Sequence, residues 1–99
     1  MARCVTIYAL NDKENLNKAA EAFNRVKALL PAGMVMNIYG TGAKNAGDVK
    51  MPGWIFGDIA QIFDFDDGIG IEDFYKTEAY QMQKQLTEGF FSIETTTNY

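Results

Sequence analysis

The stretch WIFGDIAQIFDF, residues 54–65, decides the fold. It reads as one strand with apolar side chains on both faces. Side chains alternate along a strand, so Ile59, Phe63 and Phe65 point one way and Ala60 and Ile62 the other. A strand that is apolar on both sides requires cover on both sides. In a chain of 99 residues, one cover is expected from the chain's own helices and the other from a second copy of the protein.

Upstream of this stretch, residues 3–10 read as a strand. Val5, Ile7 and Ala9 form an apolar set, and Cys4, Thr6, Tyr8 and Leu10 a mixed one. Asn11-Asp12-Lys13 is turn chemistry, and Asp12 or Asn15 can cap the helix that follows. The spacing of Leu16, Ala19, Ala20, Phe23, Val26 and Leu30 predicts that helix over residues 16–30. Lys18, Glu21, Asn24, Arg25 and Lys27 lie off the apolar stripe and read as a solvated face. Pro31 ends the helix, because the residue before a proline avoids helical dihedrals. Residues 34–41 read as a second strand, with Met34, Met36 and Ile38 on one face and Val35, Asn37 and Tyr39 on the other. Residues 40–53 hold four glycines and a proline and read as a long loop.

Downstream, Asp66-Asp67-Gly68 is a turn. Ile71, Tyr75, Ala79, Met82 and Leu86 predict a helix over residues 71–88, with Thr77 interrupting it and capping a second segment that starts at Glu78. Gly89 is a suitable C-terminal glycine. Residues 90–98 read as a last strand, in which Phe91, Ile93, Thr95 and Thr97 alternate with Phe90, Ser92, Glu94 and Thr96. Its threonines favour strand geometry and add little to a core, which suits an edge.

The order is strand–helix–strand twice over. With right-handed crossovers it gives a single α+β domain over residues 1–99. This is a ferredoxin-like βαββαβ layer, a four-stranded antiparallel sheet with two helices on one face. One set of strand residues (Val5, Ile7, Ala9, Met34, Met36, Ile38, Phe91, Ile93) is expected to face the helices. The other (Thr6, Tyr8, Leu10, Val35, Asn37, Tyr39, Phe90, Ser92, Glu94) is too rich in tyrosine and aliphatic residues for a water-facing surface. It reads as a self-contacting interface, so a homodimer packed sheet to sheet into an α/β barrel is expected.

The element order, the length and the stretch DDGIGIEDFYKTEAYQMQKQL, residues 66–86, resemble the dimeric α/β-barrel superfamily. That group includes the antibiotic-biosynthesis monooxygenase-like and stress-responsive barrel proteins. The likeness covers nearly the whole chain. In the superfamily's second helix an acidic turn leads to a Phe-rich first turn, a break and a second segment near an Ala-Tyr pair, here Ala79-Tyr80. The resemblance implies two ferredoxin-like protomers packed sheet to sheet. It also implies, for some members, cofactor-free oxygenation in a cavity that uses Asn, Trp and Tyr, for which Asn37 and Trp54 are the residues at hand.

Composition excludes several classes. A net charge of −4 with no basic cluster argues against nucleic acid. No apolar run approaches membrane-spanning length. MARCVTIYAL has no small-residue cleavage site, so a secretory leader is not expected. One cysteine and no histidine fit a reduced, cytoplasmic setting and give no basis for a zinc or haem site; no metal and no cofactor are expected. Gly40-Thr41-Gly42-Ala43-Lys44 fails both phosphate-loop templates. Asp64, Asp66 and Asp67 fail the calcium-loop template, since Ile69 and Tyr75 stand where its glycine and bidentate glutamate belong.

A neutral, largely apolar ligand site between helices and sheet is therefore expected. Phe23, Phe63, Tyr75 and Met82 would supply apolar wall, and Tyr8, Asn37, Tyr39, Gln61 and Tyr80 would supply neutral hydrogen-bonding groups. Trp54 would stand at the hinge of the 40–53 loop, and Arg3, Lys44 and Lys50 near a mouth. The expected partner is a small apolar molecule, such as an acyl chain. The alternatives are a cofactor-independent monooxygenase-like enzyme acting on an aromatic or polyketide-like substrate, and an interaction module without a ligand.

Overall fold

A computed structural model describes residues 2–40 and 57–99. The elements are β1 (Ala2–Leu10), a 3₁₀ turn (Lys13–Asn15), α1 (Leu16–Lys27), β2 (Met34–Gly40), β3 (Ile59–Phe65), α2 (Ile71–Tyr75), α3 (Glu78–Leu86) and β4 (Phe91–Asn98). The strands form one antiparallel sheet in the order β2-β3-β1-β4. This is the ferredoxin-like arrangement, with the strand order its two crossovers require. The third strand starts at Ile59, since Gly57 and Asp58 are not in strand; residues 54–56 of its expected extension, the 40–53 loop beyond Gly40 and the cations Lys44 and Lys50 lie outside the described residues.

Helix ends follow local chemistry. The Thr77 hydroxyl donates to the Phe74 carbonyl at 2.6 Å and accepts from the Tyr80 amide at 3.2 Å, closing α2 and opening α3 at Glu78. Asp12 accepts from the Glu14 amide and so caps the 3₁₀ turn; Asn15 makes no side-chain cap. Helix α1 stops at Lys27, three residues short of its expected end. Leu29 and Leu30 bond to Val26 and Lys27 in the tighter i→i−3 pattern, as Pro31 forbids another α turn. Gly33 has φ +90°, and a Cβ there would meet Ile69 Cδ1 at 2.6 Å. Its carbonyl accepts from the Asp66 amide at 2.9 Å, which ties the start of β2 to the turn after β3.

The face assignments of β2 and β3 hold, and those of β1 and β4 need correction. Directly opposite residues in a ladder share a face. The register pairs Cys4 with Phe63, Tyr8 with Ile59, Val5 with Ile62 and Ile7 with Ala60. Cys4, Tyr8 and Leu10 therefore join Phe63, Phe65, Phe23 and Phe74 in the main core under the helices, while Val5, Ile7, Ala60 and Ile62 form a second buried cluster with Tyr39 packed against it. The wholly apolar β1 set faces away from the helices and the mixed set faces them, because pairing with β3, not the strand's own pattern, chooses the face. In β4 the register shifts opposite Ala9 and Leu10, pairing Leu10 with Phe91 and Ala9 with Ile93. This bulge adds one residue and changes the parity of the strand. Phe91 and Glu94 thus both fall on the helix side, and Ile93 falls on the other.

Candidate functional site

Three polar side chains lie inside the helix-side core, and each closes a bond with the next. The Tyr8 hydroxyl donates to Gln61 Oε1 at 2.5 Å, Gln61 Nε2 donates to Gln83 Oε1 at 2.8 Å, and Gln83 Nε2 donates to the Tyr8 hydroxyl at 3.2 Å. Gln61 Nε2 also reaches Met36 Sδ at 3.1 Å. The three residues are 2, 1 and 4% exposed. A ring of this kind is stable in a core only because every member is satisfied, and it links β1, β3 and α3. Gln61 thus bonds within the chain, on the helix side.

Around the ring stands a group of phenols beside one carboxyl. Tyr8 stacks on Phe91 at 4.4 Å and Phe23 at 5.2 Å between ring centroids, and Tyr75 lies 4.8 Å from Tyr80. Burial raises the Tyr8 pKa well above its ordinary value, and the nearby charge of Glu94 adds to the shift. Tyr75 and Tyr80 are raised chiefly by burial, with Glu94 again adding to it; a bond to Thr96 partly offsets this at Tyr75. Burial also raises Glu94. At neutral pH all three phenols are therefore donors.

A cavity of about 380 Å³ lies between α1 and the edge strand β2. Leu16, Ala20, Ile38 and Ile59 give it apolar wall, and Asn17, Asn24, Lys27, Asn37 and Gly40 complete its lining. On α1 the residues 17, 20, 24 and 27 recur at helical spacing, so one stripe of the helix faces this space. The volume falls in the range of small-molecule sites.

The ten residues singled out from the sequence are divided by the fold. Tyr8, Phe23, Gln61 and Phe63 are buried in the main core; Tyr75, Tyr80 and Met82 are half-buried on α2 and α3. Asn37 and Tyr39 belong to the opposite face of β2, and Asn37 also lines the cavity. Trp54 lies outside the described residues. Arg3 is held by Asp64, with bonds of 2.8 and 3.2 Å, so it is committed within the sheet. Sequence reading missed Gln83, which sits four residues after Ala79 beside the apolar stripe, and the Asn17–Asn24–Lys27 stripe, which reads as ordinary solvated surface. Among the described residues no group of three His, Cys, Asp or Glu side chains could hold a metal ion, and no helix is long and apolar enough to cross a membrane.

No family model matches the sequence, and no curated protein matches it. Solved structures do share its fold. A dimeric ferredoxin-like protein of unknown function from Thermobifida fusca YX superposes with a TM-score of 0.71 at 13% identity, over 99% of this chain and 88% of that one. A candidate antibiotic biosynthesis monooxygenase from Bacteroides thetaiotaomicron VPI-5482 gives 0.69 at 13% identity, over 100% and 86%. A dimeric protein of unknown function and ferredoxin-like fold from Bacteroides fragilis NCTC 9343 gives 0.60 at 10% identity, over 99% and 93%. The resemblance to the antibiotic-biosynthesis monooxygenase-like group thus holds at the level of the fold.

Proposed function

We propose that this chain is a homodimeric small-molecule-binding protein whose ligand, an apolar molecule such as an acyl chain, occupies the space between α1 and β2. The observation that carries the reading is the 380 Å³ cavity, whose wall of Leu16, Ala20, Ile38 and Ile59 is set between the helix layer and the sheet. The Tyr8–Gln61–Gln83 ring supports the same choice by elimination. Its polar atoms are used within the core, and none of its three residues lines the cavity, so it does not supply the ligand contacts. Native mass spectrometry of the purified protein and displacement of a fluorescent fatty acid test the reading. Saturable displacement is expected, and it should be lost in Ala20→Trp, which fills the cavity. Absence of any saturable displacement would refute the lipid version.

The dimer is proposed from two observations. Two of the solved structures that share the fold are described as dimeric. In this chain Val35 and Ile93, both on the sheet face away from the helices, are 57 and 50% exposed, which leaves apolar surface flanking the buried Val5–Ile62 cluster for a partner. Light scattering should give twice the chain mass of 11.1 kDa. Val35→Asp with Ile93→Asp should give the monomer mass, since the pair would bury unpaired charge on assembly. A monomeric wild type would overturn the proposal.

A second reading is a cofactor-independent monooxygenase-like enzyme acting on an aromatic or polyketide-like substrate. The likeness in fold to the Bacteroides thetaiotaomicron protein and the group of Tyr75, Tyr80 and Glu94 favour it. Oxygen uptake with an oxidisable polyphenol, without added metal, separates it from simple binding.

A further inference from the structure

We infer that the α1–β2 cavity takes an anionic ligand, a molecule with an apolar body and one carboxylate or similar acidic group, held by Lys27 with Asn17 and Asn24 beside it. The inference rests on the proposed binding role of this cavity and adds the charge of its occupant. Three observations support it. First, Lys27 is the charged residue among the described lining residues, in a chain whose net charge is −4. A cation here therefore marks a local exception to the overall field. Second, no described side chain forms an ion pair or hydrogen bond with Lys27, whereas Arg3 and Lys13 are paired with Asp64 and Asp58. Third, Asn17, Asn24 and Lys27, all exposed, recur along one stripe of α1 that lines the cavity, and no described group bonds the two asparagine side chains.

A lysine in the last turn of a helix also suits the helix dipole, so a lone cation would carry little weight. Two uncommitted amides beside it, next to an apolar wall, make a different arrangement. Amides donate to carboxylate oxygens and tolerate hydroxyl or carbonyl groups nearby, and the ammonium supplies the charge. The acyl chain or ring system then lies along Leu16, Ala20, Ile38 and Ile59.

The test uses two fluorescent probes of nearly the same shape, 8-anilinonaphthalene-1-sulfonate and neutral N-phenyl-1-naphthylamine, titrated against the full chain. The anionic probe should bind about fivefold more tightly than the neutral one, as a partly exposed ion pair allows. The preference should shrink as salt is raised. In Lys27→Met the ratio of the two dissociation constants should fall to about one, and in Lys27→Glu it should invert. Arg25→Met removes the same charge from a residue that lines a separate groove and should keep the preference; it controls for net charge. A wild-type ratio of one, or a ratio unchanged by both Lys27 variants, overturns the anion assignment and leaves the pocket reading in place. If neither probe binds the wild type saturably, both readings fail.

Discussion

Replacing Tyr8 by Phe removes one oxygen and keeps the ring stacking on Phe91 and Phe23, so it isolates the hydroxyl. That hydroxyl is the donor to Gln61 Oε1 and the acceptor for Gln83 Nε2. The variant leaves both amide groups buried and short of a partner. Each unsatisfied buried group costs about 1–3 kcal/mol, and with partial relaxation the variant should lose about 2–4 kcal/mol. For a domain of this size about 1 kcal/mol moves Tm by about 4–8 °C, so a fall of about 10–25 °C is expected. Urea and thermal unfolding followed by circular dichroism measure it, at several protein concentrations because assembly would contribute to stability. The triple variant Tyr8→Phe, Gln61→Met, Gln83→Leu gives the sharper test. It removes every member of the ring and leaves no polar group unpaired, so it should be more stable than the sum of its three single changes implies. A Tyr8→Phe loss below about 0.5 kcal/mol would refute the account given of the ring, since even one orphaned buried group costs about 1–3 kcal/mol. Strict additivity in the triple variant would refute it too.

Other perturbations read different parts of the fold. Asp58 is buried, which raises its pKa, but Lys13 at 2.5 Å and the Leu10 amide at 2.7 Å outweigh this and hold it below its ordinary value. Its contribution is therefore present above the unfolded carboxylate pKa of about 4 and lost as pH falls through the folded one. Asp58→Asn should flatten the acid limb of a stability–pH curve, and an unchanged limb would count against the pairing. Glu94 has the opposite sign. Its pKa is raised by burial, so its contribution is full below about pH 4.3 and lost as pH rises through the folded value. Glu94 keeps contact with solvent, which screens the effect, so Glu94→Gln should raise the urea midpoint at pH 7 only slightly and leave it unchanged in acid. Burial pushes the Cys4 thiol up to about 11, with a Thr6 bond acting against this. It should resist a disulfide reagent at pH 8 until the protein is denatured, and rapid native labelling would contradict its buried position.

Much of this architecture was legible as local chemistry. Turn residues at Asn11–Lys13 and Asp66–Gly68, the cap at Thr77 and the glycine at Gly89 act over a few residues, so their effect can be read without the rest of the chain. Apolar alternation on β2 and β3 and the stripe on α1 likewise carry their own period. From these followed the element order, the antiparallel sheet and the helices on one face. The tertiary structure decided what those periods leave degenerate. In β1 one alternating set is wholly apolar and the other mixed, and pairing with β3 turned the mixed set, with Tyr8 and Cys4, toward the helices. In β4 the bulge near Ser92 shifted parity, a change set by the partner strand with no mark in composition. Gln83 looks like a surface residue and Gln61 like a ligand contact until three elements bring both within bonding distance of Tyr8. The Asn17–Asn24–Lys27 stripe is exposed, as its sequence suggests, and only the approach of β2 makes it part of a cavity lining. A cavity is the gap between a helix and a strand far apart in sequence, and its shape exists only once both are packed.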